Sequence, residues 1–292
     1  MLSEELRAQI KQIHLSTSYL VNESMAGEYA SAFKGRGMEF EEVREYFPGD
    51  DVRSIDWNVT ARMGSPFVKE YREERELTLF LMVDMSGSGR FGSSEKTKTD
   101  TMAELAAILA YLASRNNDKV GMMLFTTEVE RFIPPKKGRG HVWRLIQEIL
   151  TFEPKHRGTD LGIALEYAGH LLRKKTVLFL ISDFLGHGFE RPLVLASKRH
   201  DITALRVSDP REYELTNVGL LELEDPETGD TMLIDTSSKA TREYFHKEAA
   251  RQLNDSQEML RRSGIPEVAI STEGSSVAPL VRYFRSRDRR RS

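Results

Sequence analysis

The feature that most constrains the fold of this chain is a regular alternation of apolar, strand-like runs and amphipathic helical segments that begins at Glu76. Residues 77–83 form a continuous apolar run, as expected for a central strand buried on both faces. Further strands are predicted over residues 119–125, 128–133, 176–181 and 202–207, and helices over residues 101–115, 140–150, 160–172 and 189–199. This alternation predicts an α/β fold with a doubly wound, mostly parallel sheet that helices cover on both faces.

The chain before this alternation has a different texture. Residues 1–75 are strongly charged, and their first part has apolar residues at helical spacing. We therefore predict an N-terminal helix and a polar extension that pack on the main domain, which spans residues 76–292.

A second departure interrupts the main domain. Residues 208–265 predict an insertion, made of a hairpin around Pro226 and a helix capped by Ser237 or Ser238. A last strand and helix follow the insertion. The Arg-rich residues 285–292 are expected to form a solvated tail, and contact with acidic lipid or with a partner is the alternative.

Composition excludes several classes of function. The net charge of −3 argues against a dedicated nucleic-acid surface, which usually carries clustered positive charge. No apolar run approaches the roughly 20 residues needed to cross a bilayer. The N-terminus lacks the basic start and apolar core of a signal peptide, so a cytoplasmic location is expected. Because the chain has no cysteine, disulfides, thiolate metal ligands and cysteine nucleophiles are excluded.

Oxygen-bearing side chains follow the first predicted strand. Asp84, Ser86 and Ser88 stand at positions one, three and five of a short loop, where Gly87 lets the chain turn tightly. Ligands of doubly wound sheets bind at the loops that leave the carboxyl ends of central strands. Mg²⁺ prefers oxygen ligands and takes about six of them. The loop therefore predicts part of a divalent-cation site.

Two further loops can complete that site. Thr159 precedes a predicted helix, and Asp183 follows the strand predicted over residues 176–181. If that strand lies beside the first, Asp84 and Asp183 meet at one edge of the sheet. Each residue alone has a simpler interpretation, because threonine is a common helix N-cap and aspartate a common turn residue. Their combination predicts a metal site with an open coordination position that a partner's carboxylate can fill.

Residues 77–206 resemble a von Willebrand factor A domain. The resemblance is carried by an Asp-x-Ser-x-Ser loop, a threonine in a Gly-Thr-Asp loop and a later aspartate. It implies a metal-ion-dependent adhesion site formed by Asp84, Ser86, Ser88, Thr159 and Asp183. Such a site binds a divalent cation, for which Mg²⁺ is the first choice and Ca²⁺ or Mn²⁺ are alternatives.

A narrower resemblance runs from about residue 35 to the C-terminus. Residues 37–57, followed by Ala61 and Arg62, resemble the segment that precedes the A-like domain in a bacterial family called domain of unknown function 58. Members of that family typically accompany MoxR-type AAA+ ATPases. The resemblance therefore implies such an ATPase as a partner, together with a client protein that the sequence does not identify.

The same segment mixes charged residues with an aromatic residue. We expect it to form an ordered apron, with Trp57 packed on the A-like domain and Asp56 paired with an arginine. A docking surface for the partner, built on Arg53, Asp56, Trp57 and Arg62, is the alternative.

The sequence as a whole predicts a metal-dependent protein-interaction module and not an enzyme. The family resemblance implies that it would serve as an adaptor or co-chaperone of a MoxR-type ATPase in protein assembly or maturation. One alternative is a Mg²⁺-dependent phosphohydrolase with Asp84 as nucleophile, although Ser86 stands where such enzymes commonly carry a second acid. A second alternative is a nucleic-acid-binding A-like domain, against which the acidic balance argues.

Overall fold

The structure is a computed structural model that describes residue 21 and residues 23–33, 38–73, 76–92 and 96–291. The helix predicted within the first 20 residues lies outside the described residues.

Elements of the N-terminal region come first in the chain. Helix α1 (Glu23–Phe33) precedes a two-stranded antiparallel sheet of β1 (Met38–Glu45) and β2 (Phe67–Glu73). A 3-10 turn (Val52–Ser54) and the short helix α2 (Trp57–Met63) connect these two strands.

Strands and helices then alternate through the main domain. In chain order they are β3 (Thr78–Asp84), α3 (Lys98–Arg115), β4 (Lys119–Phe125), β5 (Val129–Lys136), α4 (Arg139–Leu150), α5 (Leu161–Leu171), β6 (Val177–Ser182), α6 (Glu190–Ser197), β7 (Asp201–Ser208), β8 (Leu220–Glu224), β9 (Thr231–Asp235), α7 (Lys239–Arg262), β10 (Glu267–Ser271) and α8 (Val277–Arg291). Within the described part of the chain, none of the helices is both long and apolar enough to cross a membrane.

The central sheet has six strands in the order β10-β7-β6-β3-β4-β5. Neighbouring strands are parallel, except that β5 runs antiparallel to β4 at one edge. The chain moves from β3 towards β4 and β5 on one side, and from β6 towards β7 and β10 on the other. The strand order therefore reverses between β3 and β6, which is the position where ligands bind in doubly wound sheets. The predicted doubly wound, mostly parallel fold is confirmed.

Apolar side chains pack on both faces of this sheet. Leu79, Leu81 and Val83 of β3 belong to the cluster that includes α3 and α8, whereas Phe80 and Met82 face the cluster with α5 and α6. Each such side chain contributes about 1.5–3 kcal/mol when it is fully buried. This two-sided burial is the reason why β3 is a continuous apolar run and not an alternating one.

The polar extension does not follow the sequence expectation at two residues. Trp57 is 67% exposed, so the prediction that it packs on the A-like domain is wrong. Asp56 caps α2 by accepting from the backbone amides of Asn58 and Val59, and its ion pair is with Lys69 (3.4 Å) and not with an arginine. The cap position determines where this carboxylate points, because the first amides of a helix have no partner within the helix.

The end of the chain also differs from expectation. Helix α8 continues to Arg291, so the tail is ordered as a helix, although Arg285, Ser286, Arg289 and Arg290 are exposed as a solvated tail would be. The guanidinium of Arg287 lies 4.5 Å from the ring centre of Phe33 in α1, donates to the carbonyl of Ala32 (3.0 Å) and pairs with Asp201. These contacts extend the helix because they bury the arginine between two elements of the main fold.

Candidate metal centre

The backbone brings the predicted ligands to the point where the strand order reverses. Strand β3 ends at Asp84, and its neighbour β6 pairs with it in parallel up to Val83 opposite Ile181. Asp183 is therefore beside Asp84 at the carboxyl edge of the sheet. Thr159 reaches the same edge from the loop before α5, whose N-cap is Asp160, so the interpretation of Thr159 as the N-cap is wrong.

Asp84 is the centre of the hydrogen-bond network. It is 2% exposed. Its Oδ1 accepts from the backbone amide of Ser86 (3.0 Å), and its Oδ2 accepts from the hydroxyls of Thr159 (3.0 Å) and Ser182 (2.7 Å). Ser182, which the sequence interpretation missed, thus holds the carboxylate from the neighbouring strand.

The two loop serines connect this carboxylate to the second one. The hydroxyl oxygens of Ser86 and Ser88 are 3.1 Å apart, and the Ser88 hydroxyl donates to Asp183 Oδ2 at 2.7 Å. The structure therefore brings all the sequence-predicted site residues into one connected network. In this network Ser88 and Thr159 donate their protons to carboxylates, which leaves hydroxyl lone pairs free for a cation.

A buried lysine, also missed from the sequence, is the positive charge of the site. Lys98 has no exposed surface, donates to Asp183 Oδ2 (2.7 Å) and pairs with Glu212. Burial lowers the pKa of Lys98, but the carboxylates of Asp183 and Glu212 outweigh burial and raise it. Lys98 stands four residues before the buried Met102 in α3, and a charged residue at an apolar helical position is the signal that could have revealed it.

The two aspartates differ in their electrostatics. Burial, followed by the charge of Asp183, raises the pKa of Asp84. Burial also raises the pKa of Asp183, but the charge and hydrogen bond of Lys98 outweigh it, and the net pKa is lowered. A cation at this site would favour the ionised form of Asp84, because opposite charge stabilises a carboxylate.

Arg206 holds the backbone of Asp183 in place. It is 2% exposed, donates to the carbonyl oxygen of Asp183 (2.8 Å) and pairs with Glu267 (2.6 Å). Its guanidinium lies 5.3 Å from the ring centre of Phe184, which has a φ of 58°. A bulky residue in this left-handed conformation is strained by about 1–3 kcal/mol, and the surrounding contacts have to compensate.

The donor set fits a hard cation such as Mg²⁺. All its atoms are carboxylate or hydroxyl oxygens, the ligand type that Mg²⁺, Ca²⁺ and Mn²⁺ accept. Among the residues that the structure describes, no group of three or more His, Cys, Asp or Glu side chains could hold a metal ion. The serine and threonine hydroxyls are therefore indispensable to a metal site here.

A cleft of about 570 Å³ adjoins the loop of Ser86 and Ser88. Its lining begins at Gly87, includes Glu224 and Pro226 of the hairpin, and carries several basic side chains. These are Arg90, Lys155, His156 and Arg157. The cleft therefore places a predominantly basic wall beside the loop that carries Ser86 and Ser88, although the five site residues themselves do not line it.

The fold and the site together define a class of protein. It is a doubly wound α/β protein with a buried cluster of oxygen-bearing side chains where the strand order reverses. Residues 42–255 match the family model described as protein of unknown function DUF58, and the chain belongs to this family. This match confirms the narrower of the two sequence resemblances.

Several proteins of known sequence are similar to the chain. Uncharacterized protein Rv1480 of Mycobacterium tuberculosis is 32% identical over 288 residues, which is 98% of this chain and 90% of the relative. Uncharacterized protein YeaD of Bacillus subtilis is 25% identical over 107 residues, 37% of this chain and 25% of the relative.

Solved structures are similar at lower identity. BatB from Bacteroides thetaiotaomicron, described as a conserved hypothetical protein, has 15% identity and a TM-score of 0.49 over 73% of this chain and 99% of its own. The SpRpn10 VWA domain has 11% identity and a TM-score of 0.41 over 71% of this chain and 94% of its own.

Proposed function

We propose that this protein is a metal-dependent protein-interaction module that works in the cytoplasm as an adaptor or co-chaperone of a MoxR-type AAA+ ATPase. In that role it assists the assembly or maturation of a client protein. The observation that carries the proposal is the hydrogen-bonded oxygen cluster at the switch point of the sheet. Its members are Asp84, Ser86, Ser88, Thr159 and Asp183.

These residues would hold one divalent cation, with Mg²⁺ preferred. When bound, the cation supplies a coordination position that a carboxylate of a partner protein can fill. Asp84 and Asp183 provide negative charge, the three hydroxyls provide neutral oxygen ligands, and Lys98 keeps Asp183 ionised. The basic wall of the adjoining cleft favours a partner segment that carries acidic residues.

Binding is favoured over catalysis by the environment of Asp84. A carboxylate nucleophile needs an accessible, ionised oxygen. Asp84 is 2% exposed, and both its oxygens accept hydrogen bonds. Ser86 also lacks the acidity that a phosphohydrolase commonly has at this position. We therefore propose a protein that binds and does not turn over a substrate.

The test is binding of a purified MoxR-type ATPase from the same organism to the wild-type chain in Mg²⁺ and in EDTA. We expect Asp84→Ala, like EDTA, to weaken binding at least about tenfold, because removal of a metal ligand removes the cation. Asp255→Ala, on the exposed surface of α7, is the matched control and should bind like the wild type.

Calorimetric titration with Mg²⁺ measures the metal site separately from the partner. ATPase binding that is unchanged in EDTA and in the Asp84→Ala variant would show that the interaction does not depend on metal. If the wild-type chain binds Mg²⁺ but neither it nor any variant binds the ATPase, this type of partner would instead be excluded.

A further inference from the structure

The turn between β8 and β9 lies directly on the metal-site loops. A Cβ atom added to Gly87, between the two serines, would be 2.1 Å from the carbonyl oxygen of Pro226. Only glycine therefore fits beneath the turn. Arg157, from the opposite loop, donates from Nη1 to Glu224 (3.5 Å) and lies beside Gly229, so it contacts both ends of the turn.

Glu227 is the turn residue whose side chain lies beside the loop that carries Thr159. Its neighbours Asp225, Pro226 and Thr228 are exposed, whereas Glu227 is half-buried. Its Oε2 is 4.0 Å from the position of a Cβ atom on Gly158, the residue before Thr159. The backbone amide of Glu227 donates to Asp225 Oδ1 (2.8 Å), which fixes the turn that presents this side chain. Glu227 thus lies beside the loop that carries Thr159, in a turn whose backbone covers Gly87.

Carboxylates outnumber positive charges among the described side chains around the site, so a bound cation would be stabilised there. Asp84, Asp183, Glu212 and Glu227 are carboxylates, and Lys98 is the positive charge that contacts this group. Burial, followed by the charges of Asp183 and Asp84, raises the pKa of Glu227 to about 7. A divalent cation between Asp84, Asp183 and Glu227 would offset this repulsion.

We infer that Glu227 is an internal carboxylate ligand of the metal site. The inference rests on the proposed metal site and adds to it the ligand that fills the open position. Among the described residues no group of three or more carboxylate, imidazole or thiol side chains is placed to hold a metal ion, so the inference requires the Glu227 side chain to rotate towards the cation when the cation binds. The carboxylate then binds the metal directly or through a water molecule.

An internal ligand changes how a partner gains access. A carboxylate from outside has to displace Glu227, and the β8–β9 hairpin then acts as a gate over the site. The hairpin suits this role because both its strands lie outside the central sheet and pair only with each other, within the part of the chain that the structure describes.

The experiment uses Mn²⁺ as the probe and the full chain as the protein. Electron paramagnetic resonance measures the affinity for Mn²⁺, and water proton relaxation measures how much water reaches the bound ion. We expect Glu227→Gln to weaken Mn²⁺ binding roughly 10- to 100-fold and to raise the relaxation enhancement of the bound ion. Glu222→Gln, the same change at an exposed position of the same hairpin, should leave both quantities unchanged.

Asp84→Ala separates this inference from the proposed site. If Mn²⁺ binds the wild type, is lost in Asp84→Ala, and binds Glu227→Gln with the same affinity and relaxation, the site is retained and Glu227 is not its ligand. If Mn²⁺ binds none of the proteins, both the metal site and the internal ligand are wrong.

Discussion

An ammonium group without exposed surface is costly to bury, and Lys98 shows what offsets that cost. Its Nζ contacts two carboxylates, Asp183 and Glu212, from two other elements of the fold. Replacing both partners of such a group can be neutral, but removing one partner leaves a buried, uncompensated charge. Lys98 therefore connects the stability of the domain with the charge of its candidate metal centre.

We predict that Lys98→Met destabilises the metal-free protein by about 3–5 kcal/mol, because Asp183 then lacks its buried counter-charge. Urea denaturation at neutral pH measures the change. Lys96→Met is the control: this lysine is half-exposed in its pair with Glu104, and its loss should cost at most about 1 kcal/mol.

The pH dependence of the stability difference between the wild type and Lys98→Met gives a second check. Lys98 holds the pKa of Asp183 below its usual value, so the stabilisation is present above the unfolded-state pKa and is lost as pH falls through the folded-state pKa. The free energies of unfolding of the wild type and of Lys98→Met should therefore converge in acid. A constant difference down to the acid transition would mean that the Lys98–Asp183 pair does not carry the effect.

At the residue scale, sequence indicates candidate site residues where the pattern is local. Asp84, Ser86 and Ser88 share one loop, and Asp183 follows a strand that is easy to recognise. Lys98 was missed because its partners are 85 and 114 residues away, and no local pattern shows what a side chain meets across the sheet.

Helices and strands show the same difference between features that depend on local sequence and features that depend on distant contacts. Hydrophobic periodicity located β3 and β6 to within a residue or so, because it depends only on local spacing and two-sided burial. The hairpin β8–β9 was also predicted, but its position over the metal loops was not. That position depends on the contact of Pro226 with Gly87, which lies far away in the sequence.

Contacts between α1 and α8 illustrate how a charged tail becomes part of the fold. We predict that Arg287→Ala destabilises the protein by about 1–3 kcal/mol, because it removes a partly buried ion pair with Asp201 and the stacking on Phe33. Chemical denaturation measures this loss. Arg289→Ala, at an exposed position of the same helix, is the matched control and should change stability by less than about 0.5 kcal/mol. Equal effects of the two substitutions would mean that α8 is held by its apolar face alone.

On the scale of the whole molecule, burial is distributed very unevenly. Every residue of β3 from Leu79 to Asp84 is buried, and both faces of that strand pack against helices. Among residues 42–70, where the side chains are described, only Val68 is buried. The expectation for Trp57 failed for this reason: a polar segment with one aromatic residue does not specify which surface, if any, will cover it.

The uneven burial predicts which parts of the molecule unfold locally and which unfold only with the whole domain. Native-state hydrogen exchange should show the amides of β3, β4 and β6 exchanging through global unfolding, since their hydrogen bonds are enclosed by the core. Amides of residues 42–45 in β1 and 67–70 in β2 should exchange with opening free energies at least about 2 kcal/mol lower, because little buried apolar surface opposes local opening there. The β8–β9 hairpin, equally exposed, provides an internal comparison and should exchange early as well. Equal protection of β1, β2 and the central strands would mean that the extension and the main domain unfold as one cooperative unit, and that contacts other than side-chain burial hold the extension in place.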